Sequence, residues 1–263
     1  APDGRLYQSY LGDRLLNEQD LKTMSEAVEV LRQFKGFSYF TEMSDIINRL
    51  EDHVASARMK TTPVIDFEKN ESLKGLDYLD TIYHAIVNEH PIQLKYRSFK
   101  ARSANSFIFY PYLLKEYRNR WFVYGVRGNG RILQNLALDR IQSLEVLPQQ
   151  HYIKNTFFDP NTFFNDLVGV TKNSGSVAEK VGFKVAAAEA PYIITKPIHR
   201  SQQVVERLAD GSVILEIEVV INHELERVFF GYAEGIQVLY PKTLVELMGR
   251  KLKKAAEQYT HSK

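Results

Sequence analysis

Pro91-Ile92-Gln93-Leu94-Lys95-Tyr96-Arg97 alternates apolar and polar residues from Ile92 onward, the pattern of a half-buried strand. Just upstream the period differs. Leu79, Ile82, Tyr83 and Ile86 recur at helical spacing, which predicts a helix over 76–89, stopped by Pro91. The change from a period of about 3.6 to one of 2 marks where a helical part gives way to a β part.

Downstream, alternation or β-rich composition predicts strands over 106–114, 120–126, 131–137 and 141–147, with turns at Arg118-Asn119 and Gly128-Asn129-Gly130. Five strands in under 60 residues are too few for a sandwich and predict a small, strongly bent SH3/Sm-like β-barrel. Toward the N-terminus, Leu21, Met24, Val28 and Leu31 form another apolar stripe, with Asn17 as N-cap and Gly36 as stop. A second helix is predicted over 43–58, with Ile46, Ile47, Leu50 and Val54 inward, followed by a polar linker containing Pro63.

Beyond 148 the chain is irregular up to 176, but Phe157-Phe158 and Phe163-Phe164 make it a packed connector rather than a free linker. Strands are predicted over 181–187, 203–208, 212–221 and 236–240, helices over 189–196 and 222–234. Asp210-Gly211 marks a hairpin, Asn222 an N-cap and Gly235 a stop. A final helix over 244–259 has Leu247, Leu252 and Ala255 or Ala256 inward. The order β-α-β-β-α-β plus a helix is the ferredoxin-like pattern. The fold class is α+β, divided as 1–63 helical, 64–75 linker, 76–148 helix plus barrel, 149–176 connector and 177–263 C-terminal domain.

Charge follows this division. Residues 1–89 carry 10 Lys+Arg against 16 Asp+Glu; residues 90–140 carry 10 against 2; residues 141–263 carry 14 of each. A barrel with a net charge of +8 beside an acidic helical part points to an anionic partner for the barrel. The whole chain is only +2, which excludes a uniformly basic nucleic-acid coat. With no cysteine there are no disulfides, thiolate nucleophiles or Cys-ligated metals. The seven histidines show no metal-ligand spacing, and no nucleophile elbow or phosphate-binding P-loop is present. An enzyme is therefore not expected, nor a cofactor or metal, and no apolar run is long enough for a membrane helix. The first residues lack the apolar core of a signal peptide, in keeping with a cytoplasmic protein.

What stands out is the barrel's mixture of rings and cations. Tyr96, Tyr110, Tyr112, Tyr117, Trp121, Phe122 and Tyr124 interleave with Arg97, Arg118, Arg120 and Arg131. Rings beside cations stack bases and neutralise phosphates; the other reading of the same residues is that alternate rings form the barrel core. Asp139-Arg140, between Leu138 and Ile141, is either a rim ion pair or an anion-binding arginine held by its neighbour.

Tyr110-Pro111, Trp121-Phe122-Val123 and Leu138-Asp139-Arg140-Ile141 resemble, in order and spacing, the WYL family of bacterial transcriptional regulators, whose corresponding segments include Trp-Tyr-Leu and Leu-Asp-Arg-Ile. Phe229-Phe230-Gly231 and Val238-Leu239-Tyr240-Pro241 resemble the C-terminal extension (WCX) domain of such regulators, most closely the Bacteroidetes type. The resemblance implies an effector-sensing and dimerising portion of a regulator. Its barrel would bind a nucleotide or single-stranded nucleic acid, and the extension domain would dimerise or complete the ligand site. Duplex DNA would be bound by a winged helix-turn-helix that this sequence lacks, Asp3-Gly4-Arg5-Leu6-Tyr7 resembling the end of its wing. Tyr96, Tyr110, Trp121, Phe122 and Arg140 occupy matching positions, and Arg97, Tyr112, Arg118 and Arg131 complete the expected ligand set. Gln134 and Ala137 stand where many members have arginines, removing two phosphate-binding candidates. The alternative is a stand-alone single-strand-binding module.

Overall fold

The computed structural model describes residues 73–128, 130 and 132–260. The helices expected over 17–36 and 43–58, the wing-like residues 3–7, most of the linker, and Asn129 and Arg131 lie outside the described residues. Residues 1–84 and 85–263 are two compact units. The first contributes a 3-10 turn, Leu76–Tyr78, and the start of α1 (Leu79–Val87). Leu79, Ile82 and Ala85 of α1 are buried, a shift of one face position from Tyr83 and Ile86, which are half-buried.

The second unit holds two antiparallel sheets. The first comprises β1 (Ile92–Tyr96), β2 (Asn105–Tyr117), β3 (Arg120–Arg127), β4 (Leu133–Ala137) and β5 (Ile141–Val146) in the order β4-β3-β2-β1-β5. Ile92 and Leu94 are fully buried while Lys95 is exposed, as alternation requires. β4 and β5 are opposite edges and do not pair, so the sheet is open and not the closed barrel expected. A single 3-10 turn, Leu138–Arg140, nevertheless carries the chain from one edge to the other. A link that short spans opposite edges only if the sheet curls strongly.

Two local features shape this sheet. Pro111 pairs with Gly125 and Leu113 with Tyr124, leaving Tyr112 as the extra residue of a bulge. A bulge is where a central strand tolerates proline, which has no N–H for the ladder. Gly125 is required opposite it: a Cβ there would lie 2.1 Å from the Tyr110 carbonyl oxygen and 2.6 Å from the Phe109 ring. The β2–β3 turn has positive φ at both central residues, Arg118 (50°) and Asn119 (59°), the geometry whose twist matches a hairpin.

The second sheet comprises β6 (Glu179–Val185), β7 (Gln203–Arg207), β8 (Val213–Val219) and β9 (Ile236–Tyr240) in the order β7-β8-β6-β9. Helices α2 (Ala190–Thr195), α3 (His223–Gly231) and α4 (Lys242–Thr260) complete the element order read from the sequence. Val181, Phe183, Leu215, Ile217 and Val219 are fully buried against Ile193, Leu225, Phe229 and Leu244 of the helices. Each such side chain contributes about 1.5–3 kcal/mol by leaving water. Asn222 caps α3, accepting from the Leu225 N–H at 2.9 Å.

α4 departs from expectation. Leu244 and Met248 are buried, but Leu252, Ala255 and Ala256 are exposed, as is the whole of 251–260. Nineteen helical residues span about 28 Å, whereas the five residues of β9 span about 17 Å, so the helix outruns its sheet. No described helix is long and apolar enough to cross a membrane.

Candidate ligand site on the first sheet

The connector between the sheets decides which rings are free. Tyr110 (6% exposed) and Tyr112 (8%) are packed beneath it with Val126, against Tyr152, Phe157 and Phe158. Tyr152 lies edge-on to both, at 6.0 and 6.1 Å between ring centroids, and Phe157 stacks on Tyr112 at 6.1 Å. The Tyr152 hydroxyl donates to the Pro111 carbonyl. Tyr124 is likewise sealed by Phe158, Phe163 and Phe164, and its hydroxyl donates to the Val170 carbonyl, which also accepts from Asn135 at 2.8 Å. Burial pushes the Tyr112 phenol up to about 12. In this arrangement Tyr110 and Tyr112 offer no ring face to a ligand; they serve as core.

A different cluster gathers around the 3-10 turn. Asp139, whose side chain is 11% exposed, lies between Arg120 (Nε–Oδ2 3.2 Å) and Arg140 (Nε–Oδ1 3.8 Å). The Arg140 guanidinium carbon sits 4.6 Å from the centroid of the Phe99 ring, which is 72% exposed. The Tyr96 phenol hydrogen-bonds to Arg140 and to the Ala137 backbone. Burial raises its pKa, partly offset by the Arg140 charge. Arg140 Nε is buried and without a hydrogen-bond partner among the described residues, as is Asp139 Oδ1. At 3.8 Å the two attract electrostatically without a hydrogen bond, while the Arg140 side chain as a whole stays 27% exposed beside Phe99.

The expected ligand residues therefore separate. Tyr96 and Arg140 come together. Arg97 is exposed and adjoins them through its N–H, which donates to the Arg140 carbonyl at 3.2 Å. Trp121 and Phe122 are half-buried on β3, Trp121 next to Arg120 and Phe122 paired with Ala137. Tyr110 and Tyr112 are in the core. Arg118 sits on the β2–β3 turn beside the Tyr117 ring, at 5.5 Å. Sequence reasoning left out Phe99 and did not place Arg120 in the site. Phe99 lies in a loop with no periodicity, and its one signal is an aromatic residue among Arg97, Lys100 and Arg102. No metal-binding group of His, Cys, Asp or Glu exists among the described residues.

A curled antiparallel sheet with an arginine-centred, ring-flanked cluster, joined to a second sheet covered by helices, defines a two-module α+β protein. Residues 77–146 match the WYL domain and residues 178–256 the WCX domain. The chain thus carries a WYL domain followed by a WCX domain. No curated protein matches the sequence. Among solved structures, proteasome accessory factor B/C (PafBC) of Arthrobacter aurescens is 16% identical with a TM-score of 0.30, over 73% of this chain. This chain spans 28% of the PafBC chain's length. A CRISPR Cas-related protein is 13% identical with a TM-score of 0.46, over 95% of this chain and 75% of that one.

Proposed function

We propose that this chain is the effector-sensing portion of a WYL-family transcriptional regulator, with an anionic effector bound at Arg140. The observation that carries the reading is Arg140 itself: flanked by Asp139, set over the exposed Phe99 ring, and with part of its guanidinium side chain open to solvent. The effector is a nucleotide or a single-stranded nucleic acid. Its phosphate meets Arg140 and Arg120, and a base stacks on Phe99, worth about 1–3 kcal/mol. No catalytic step is assigned. The strand orders support reading the first sheet as SH3/Sm-like but open, and the second as ferredoxin-like. Effector binding selects one arrangement of the two sheets, and in a cytoplasmic homodimer this alters how N-terminal winged helices meet duplex DNA.

The test is titration of the purified chain with a labelled single-stranded oligonucleotide and with mononucleotides. Arg140→Ala and Phe99→Ala each weaken binding about tenfold or more; unchanged affinity in both variants removes the site. A second reading, a stand-alone single-strand binder, is favoured by the β1–β2 loop, where Arg97, Phe99, Lys100 and Arg102 are all exposed. That reading predicts binding that falls steeply with salt and no effect on duplex recognition by the full-length protein.

A further inference from the structure

A cleft of about 560 Å³ opens where the β2–β3 turn meets the connector and the helical layer of the second sheet. Its size falls within the range of small-molecule sites. Tyr117 and Arg118 come from the turn, Gly169 from the connector, Lys196 from the end of α2, and Arg227 and Tyr232 from α3 and the residue after it. Three cations converge there and no carboxylate among the described residues lines the cleft, Glu224 lying behind Gly169. None of the three is in an ion pair among the described residues, whereas Lys172, Lys180 and Lys251 are each bound to a carboxylate.

The surroundings are built to hold this opening. Gly169 has φ +89°, and a Cβ there would meet Glu224 Cγ at 2.5 Å. Glu224 is turned to the Thr171 hydroxyl, which donates to it at 2.7 Å. Arg118 adopts a left-handed backbone, φ 50°, a conformation that disfavours a residue with a Cβ. The chain thus places an arginine, not the less strained glycine, at the mouth of the cleft. The Tyr117 phenol, raised by burial, feels the charges of Arg118, Glu224 and Arg227.

We propose that this cleft is a binding site for a small phosphate-bearing ligand, held by Arg118, Lys196 and Arg227. It shares no lining residue with the Tyr96–Arg140 cluster and does not rest on that reading. Its occupant ties the turn of the first sheet to α3 of the second, so binding stabilises one arrangement of the two sheets.

Calorimetric titration of the whole chain at low salt, with inorganic pyrophosphate and separately with ADP, tests this. At least one binds, and the tighter of the two shows whether the phosphates alone or a nucleotide is the preferred source. Arg118→Gly, which suits the turn's positive φ, and Arg227→Met each weaken binding about tenfold or more. Thermal unfolding confirms that each variant is folded. The proposal is overturned if neither probe binds, or if binding survives in both cleft variants.

Discussion

Tyr112→Phe is expected to make the protein more stable. The Tyr112 hydroxyl is buried and has no partner among the described residues, and its ring lies between Tyr152 and Phe157. A buried hydroxyl without a partner forfeits its hydration, a cost of about 1–3 kcal/mol. Removing the oxygen leaves the ring packing intact and gives back part of that cost, a gain of about 1 kcal/mol. For a unit of this size that raises the midpoint by about 2–4 °C. The matched control is Tyr152→Phe. Its hydroxyl donates to the Pro111 carbonyl at the bulge, so its loss orphans an acceptor and lowers the midpoint by a similar amount. Differential scanning calorimetry of both variants gives the comparison, and ligand titration supplies the functional arm. Affinity is unchanged in Tyr112→Phe because the ring is core. A fall in the Tyr112→Phe midpoint matching that of Tyr152→Phe refutes the packing argument.

Gly125→Ala forces a methyl group onto the Tyr110 carbonyl and the Phe109 ring and costs about 3 kcal/mol or more, read by urea unfolding. Asn222→Ala removes the α3 cap and also orphans the Val168 and Thr171 carbonyls, to which the Asn222 amide donates at 2.9 Å each. The expected loss is about 2–4 kcal/mol, against about 1 for a cap alone. His199 is buried, accepts from the Ser201 N–H at Nδ1 and is bonded to the Asn165 backbone; burial lowers its pKa below 6.5. The unfolded chain therefore takes up the proton first. The stability the neutral ring provides is present above pH 6.5 and is lost as pH falls through the lower folded value. Unfolding free energy measured against pH shows this slope in the wild type and loses it in His199→Gln.

Much of the fold was legible because its signals are local. The alternation from Ile92, the Asp210-Gly211 turn and the Asn222 cap each act within a few residues, and the strands and turns they mark appear. The candidate site was legible only in part. Tyr96 and Arg140 sit where a short turn brings them together, and the Leu-Asp-Arg-Ile segment signalled it. Tyr110 and Tyr112 read equally well as site or core, since alternation states which residues share a face but not what covers it. The cover arrives from Tyr152, Phe157 and Phe158, some 40 residues downstream, in a stretch without periodicity. The open sheet edges and the overhang of α4 were hidden for a similar reason. Both depend on how far one element extends past another.

Effector sensing depends on Arg140 meeting a negatively charged group. The direct measurement is the Arg140 Nε–H cross-peak in a ¹⁵N NMR spectrum, assigned by its absence in Arg140→Lys and followed as a single-stranded oligonucleotide is added. This peak is expected to move as the ligand's phosphate approaches the guanidinium, and the Arg120 peak to move with it. An Arg140 peak that stays fixed while signals elsewhere in the protein shift to saturation contradicts it.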